Sequence, residues 1–190
     1  MDDKIFSRIA SKLVESEIIS ADDRELYEYG LKQVASTFAT VATTLIIGFI
    51  FSMIWESILF MVSYIPLRSY AGGYHARTPL KCYVFSVVLT ISVLLGIRYM
   101  PHDAILVGSL VLIASVVIFI FAPVADENKS LDAVEKKIFR KRARIILCAE
   151  VLLFALFWGL GLFWMSVCIL ASMFIASLMV SVGVLKMSKK

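Results

Sequence analysis

The chain has 190 residues, 60% of them hydrophobic, with a mean hydropathy of +0.87 and a formal net charge of +4. Soluble domains are about 45–50% apolar, and here the excess lies in long uncharged runs separated by short charged clusters. That pattern excludes an ordinary soluble enzyme. The longest polar stretches, about residues 1–33 and residues 126–144, are too short for a second, water-soluble domain.

The first twenty residues are charged throughout and lack the apolar core of a signal peptide. Residues 4–14 read as an amphipathic helix, with Ile5, Phe6, Ile9, Ala10 and Leu13 on one side and Lys4, Arg8 and Lys12 on the other. Such a helix suits an anionic bilayer surface, and it suits equally a face packed on the rest of the protein. Ser20 followed by Asp23 resembles a helix N-cap.

Residues 34–55 are 22 uncharged positions, enough for one membrane span. The next uncharged run, residues 57–67, has only 11 and crosses about half of a ~30 Å hydrocarbon core at ~1.5 Å per residue. To span fully it must continue through Arg68 into the segment Ser69-Tyr-Ala-Gly-Gly-Tyr-His-Ala76, which would place that segment partly within the membrane. A third span is expected from about residue 81 to 99 and a fourth over the uncharged residues 104–125. The uncharged residues 151–185 are long enough for two more, with the turn near 159–166, where glycines and Trp164 cluster. Six spans place 18 of the 19 Lys and Arg residues on one side and leave only Arg98 on the other. By the positive-inside rule both termini are then cytoplasmic, as are the 68–81 segment and a basic loop over 126–144. Four spans with re-entrant segments keep the same sidedness. The whole of 1–190 reads as one all-α, multi-pass domain of a cytoplasmic membrane, with residues 1–32 cytoplasmic or interfacial.

Residues 68–86 hold one of two histidines and one of three cysteines, seven positions apart. On one straight helix that spacing is a rise of ~10.5 Å, whereas a thiol and its base must approach within about 3 Å. The sequence supplies the break: Gly72-Gly73 precedes His75, and Thr78-Pro79 is a helix-start signal before Cys82. Cys82 then sits in the first turn of a helix beside Lys81, both of which favour thiolate over thiol. His75 on the preceding loop can act as general base, with helix-start amides or the Gly72-Gly73 backbone as oxyanion donors. Ser86, one turn after Cys82, and Arg68 are the polar groups nearby, and neither is singled out as a third member. A metal is not expected, because His102 falls on the other side and two ligands are too few. Cys148 and Cys168 read as apolar packing. Glu150 reads either as a functional intramembrane acid or as the partner of a loop arginine.

The segment from Arg68 through Gly73-Tyr74-His75-Ala76 to Cys82-Tyr83-Val84 and Ser86 resembles the signature of the accessory gene regulator protein B (AgrB) family, bacterial membrane cysteine endopeptidases. His75 and Cys82 match that motif's catalytic pair at the same spacing, and Arg68 and Gly73 match further positions. A second, weaker match lies in Ala122-Pro123 and Asn128-Lys129-Ser130-Leu131, where Lys129 aligns but Ser130 replaces the usual proline. The resemblance implies a quorum-sensing function. The substrate would be a small precursor with an amphipathic N-terminus, a central Cys or Ser and an acidic tail. The enzyme would remove the tail, hold the remainder as a thioester and release it as a thiolactone or lactone. It also implies a homodimer, no cofactor and no nucleic-acid partner. A non-catalytic peptide-binding scaffold and a small transporter subunit are the competing expectations. A transporter would line several spans with ionisable residues.

Overall fold

The computed structural model describes residues 3–73, 79–124 and 132–188. Among them the chain forms seven α-helices and no strand: α1 (Asp3–Glu15), α2 (Arg24–Ile50), α3 (Ile54–Ala71), α4 (Pro79–Tyr99), α5 (Ala104–Phe121), α6 (Ala133–Gly159) and α7 (Phe163–Ser188). Four of these, α2, α4, α5 and α7, are long and apolar enough to cross a membrane. The six-span count meets its limit at α3 and α6. Helix α3 carries Glu56 and Arg68 near its ends and Pro66 inside. The first three turns of α6 carry the basic cluster, so residues 133–144, expected as loop, are helix. That helix starts there because Asp132 and Glu135 form a reciprocal capping box, with the Glu135 amide 2.7 Å from Asp132 Oδ1.

Two compact units divide at Thr43/Thr44. In the first, residues 3–15 form α1, in which Ala10 is fully buried while Ile5 and Ile9 are exposed. Arg24 donates to the Ser7 hydroxyl at 3.0 Å, and the Ser20 hydroxyl accepts from the Asp23 amide just before α2.

In the second unit α7 is the central helix, packed against α3, α4, α5 and α6. It can touch four neighbours because its buried positions are largely small or slender: Ser166, Cys168, Ser172, Ala176, Ser177, Val180 and Gly183. Close approach through small side chains is how helices associate where lipid removes the hydrophobic drive. One core joins Leu67, Val107, Val111, Ile118, Leu147, Ile169 and Met173. A second joins Phe60, Val93, Leu94, Ile97, Val167 and Cys168. Cys168 is packing, as its apolar setting suggested; Cys148 is instead exposed. The 35-residue uncharged run breaks at 160–162, where Gly161 takes φ +74°. Asp103 caps α5 by accepting from the amides of Ile105 and Leu106 at 2.8 and 2.9 Å. The α4–α5 turn and the start of α7 meet where His102 stacks on Phe163, which also contacts Trp158. That aromatic end lies opposite the end where the basic residues gather.

Glu150 is the only charged side chain buried in the bundle among the described residues. Its partner is not a loop arginine but the Ser172 hydroxyl, 3.4 Å from Oε2, while Oε1 has no hydrogen-bond partner among the described residues. A buried polar atom left unpaired is a cost that an apolar side chain of similar shape does not carry. Glu150→Met is therefore expected to leave thermal stability unchanged or raise it, by up to about 1–2 kcal/mol. Thermal unfolding in detergent checks this; a marked loss of stability would show that the carboxyl has a partner.

Candidate functional site

The site is built where α3 ends. Its last turn carries Arg68, whose guanidinium donates to the Gly72 carbonyl and also hydrogen-bonds the Tyr64 hydroxyl one turn earlier. Tyr64 is stacked on Phe60 at 5.2 Å, which fixes the ring. Past Ala71 the chain leaves the helix through two left-handed residues, Gly72 (φ +68°) and Gly73 (φ +110°). Here the chain pairs with the segment after α5: the Val124 amide donates to Ala71 O at 3.0 Å, and the Gly73 amide to Val124 O at 3.2 Å. This makes a single parallel bridge between Gly72 and Val124.

Both glycines are required by space as well as by φ. A Cβ on Gly72 would run into the Val124 carbonyl, and one on Gly73 would lie 2.6 Å from Met179 O on α7. Gly183, one turn further along α7, completes the seat: a Cβ there would lie 2.9 Å from Val124 Cγ1 and 3.0 Å from Gly73 Cα. The start of the 68–81 segment is thus clamped between α7 and the strand-like residues after α5.

Cys82 lies in the first turn of α4, half-buried, because α4 begins at Pro79 as the Thr-Pro signal anticipated. Lys81 beside it is exposed. The Ser86 hydroxyl is turned back onto the Cys82 carbonyl at 3.0 Å, a backbone contact within the helix. His75, Thr78 and Lys129 lie outside the described residues. The Gly72 amide donates to Arg68 O at 3.1 Å and the Gly73 amide to Val124 O at 3.2 Å. Among the described residues no group of three or more His, Cys, Asp or Glu side chains could hold a metal ion.

Three participants carry no signal within the 68–86 segment itself. Tyr64 sits four residues before Arg68, and that i,i+4 spacing could have found it. Val124 and Gly183 are distant in sequence and only packing reveals them. The same is true of the link from α3 to α6, where Arg142 donates to the Tyr70 hydroxyl at 3.0 Å and Phe139 meets the Tyr70 ring edge-on.

Four bilayer-length apolar helices in one bundle define a membrane protein, and the clamped glycine turn and the helix-start cysteine mark its candidate site. The accessory gene regulator B family matches residues 6–180. The chain belongs to that family. It is 26% identical over 168 residues to a protein described as AgrB-like from Clostridium perfringens (strain SM101 / Type A), covering 82% of this chain and 78% of the relative. It is 29% identical over 124 residues to accessory gene regulator protein B of Staphylococcus haemolyticus (strain JCSC1435), covering 65% of each. No solved structure matches the chain significantly.

Proposed function

We propose that this chain is a membrane cysteine endopeptidase that removes the C-terminal tail of a quorum-sensing pro-peptide and closes the remainder into a thiolactone or lactone. The observation that carries the reading is the position of Cys82. It is a half-buried thiol at a helix start, and the helix before it ends with Arg68 holding the carbonyl of Gly72, three residues before His75. Membership of the accessory gene regulator B family supports it.

In this reading Cys82 Sγ attacks the carbonyl carbon at the cleavage site while the first-turn amides of α4 receive the developing oxyanion. His75 takes the thiol proton and delivers it to the departing amine, so the tail leaves with a new N-terminus and the remainder stays as a thioester. The peptide's own thiol or hydroxyl then attacks that thioester, closes the ring and frees Cys82. Water must be kept out during the second step, or hydrolysis would end in a linear acid. A site at a bundle end, partly within the bilayer, serves that need. Helices α3 and α6 complete six crossings in this arrangement, with both termini and the basic end of the bundle cytoplasmic. The positive charge of that end suits the acidic tail of the precursor.

The test is cleavage of a synthetic precursor with an amphipathic N-terminus, a central Cys or Ser and an acidic tail, reconstituted with this chain in proteoliposomes and read by mass spectrometry. Loss of product with Cys82→Ala and with His75→Ala is expected. Undiminished cleavage by both variants would reject the peptidase reading, and binding without cleavage by the native chain would leave a scaffold. Arg68→Lys tests the support of the site. An ammonium cannot hold the Gly72 carbonyl and the Tyr64 hydroxyl with the fixed fork of a guanidinium. A fall in cleavage rate of about tenfold to a hundredfold is expected, with the unfolding midpoint nearly unchanged.

A further inference from the structure

On α6, Lys137, Arg140, Lys141 and Arg144 line an open groove of about 510 Å³ whose remaining walls are Ile145 and Cys148. These positions recur at helical spacing and form one stripe. The stripe is not on either packed side of the helix. Ala143, Leu147 and Glu150 face the bundle core, and Phe139 and Arg142 face Tyr70 of α3. Lys141, one residue from Arg142, is turned by about 100° away from it.

The groove holds four cations without a carboxylate among its lining residues. The two acids of α6 are engaged elsewhere, Glu135 in the capping box and Glu150 with Ser172. One cation is fixed in place. Arg144 Nη2 donates to the Phe119 carbonyl at 3.2 Å, and its guanidinium lies 4.1 Å over the Phe119 ring. That carbonyl is open to it because the residue four further on is Pro123, which has no amide hydrogen. The Arg144 Nε is buried and has no hydrogen-bond partner among the described residues. A guanidinium held in place beside three further cations is a site for a compact anion such as a phosphate.

The surface next to the cations decides which anion. Below them the stripe turns apolar and stays exposed, through Ile145 (58% exposed), Cys148 and Leu152 (70% exposed). A cationic head joined to an exposed hydrocarbon track matches a molecule with an anionic head and long acyl chains. We propose that this groove binds an anionic phospholipid, its phosphate among Lys137, Arg140, Lys141 and Arg144 and its acyl chains along Ile145, Cys148 and Leu152. The proposal rests on the membrane reading of the chain and not on the peptidase reading.

The experiment uses the full chain in nanodiscs of equal phosphatidylglycerol and phosphatidylcholine. It measures the lipid that stays bound on transfer to detergent by native mass spectrometry. The native chain should retain phosphatidylglycerol about tenfold over phosphatidylcholine. K137Q/R140Q/K141Q, which spares the packed Arg144, should bring the ratio near one. K136Q/R98Q/K186Q, equal in charge but off the groove, should keep the native ratio. A native ratio near one, or equal loss in both triple variants, overturns the proposal. So does a third outcome, in which a soluble oligoglutamate loses binding in the groove variant while lipid retention is unchanged, since the groove would then be a peptide site. Repeating the lipid measurement on Cys82→Ala protein keeps the two readings separable, because the ratio should not depend on that thiol.

Discussion

Cys82→Ala is expected to abolish precursor cleavage, and His75→Ala to reduce it by about 10²–10⁴-fold. The reason for the difference is chemical. Without the thiol no acyl-enzyme can form, whereas without the imidazole the attacking sulfur is still in place and only the assisted proton transfers are lost. The double variant should be no worse than Cys82→Ala alone, because groups that act as a unit do not lose rate additively. Folding should not confuse the result. Cys82 is half-buried in the first turn of α4 and belongs to neither core cluster, so deleting its sulfur opens no sealed cavity. The measurement is single-turnover cleavage read by mass spectrometry, with thermal unfolding of each variant alongside. A covalent adduct of precursor and enzyme should accumulate with the native chain and be absent with Cys82→Ala. Equal rates for the native chain and Cys82→Ala would reject Cys82 as the nucleophile.

Gly73→Ala is expected to be the most damaging substitution outside the reacting groups. Its φ of +110° is strained for any L side chain, and the added Cβ would lie 2.6 Å from Met179 O, 2.7 Å from Met179 C and 2.9 Å from Val180 N. All three are backbone atoms of the central helix, which cannot swing aside as a side-chain tip could. Strain alone costs about 1–3 kcal/mol, and the overlap adds to it. Relief must come by lifting the chain off α7, which breaks the Gly73 bond to Val124 and moves the segment that carries His75. A displacement of about 1 Å at a reacting group can cost on the order of 10²-fold in rate. Gly73→Ala should therefore lower both cleavage and the unfolding midpoint. Gly96→Ala and Gly108→Ala, where a Cβ meets nothing within 4 Å, should cost nothing in stability and can add up to about 1 kcal/mol. Gly73→Ala behaving like those two would show that the clamp is not needed.

Much of the site is legible in the residues. The incompatibility of a seven-residue spacing with one helix demands a break between positions 75 and 82, and α4 does begin at Pro79. The aromatic and glycine cluster marks the turn that falls at 160–162. Less legible is the basic segment, whose charge density suggests a loop. Asp132 and Glu135 start a helix there, and a helix with a charged first half and an apolar second half looks like a loop and then a span when hydropathy is the only guide. For Glu150 the loop-arginine alternative fails for a related reason. Near the end of an apolar run an acid suggests a loop arginine, but helical phase turns it inward to Ser172.

The sequence by itself determined what is local or periodic. It set the membrane class through the length of its uncharged runs, the asymmetry of its basic residues, the helix starts, and the identity of the residues able to do thiol chemistry. Tertiary structure alone decided what depends on packing at long range. It made α7 the central helix and seated Gly72-Gly73 against Val124 and Gly183. It directed the Gly72 and Gly73 amides to the Arg68 and Val124 carbonyls, and it turned one stripe of α6 cations outward to an open groove. Short-range order arises from each residue's own conformational and solvation preferences. These other contacts join positions tens of residues apart, where no periodicity along the chain records which atoms will meet.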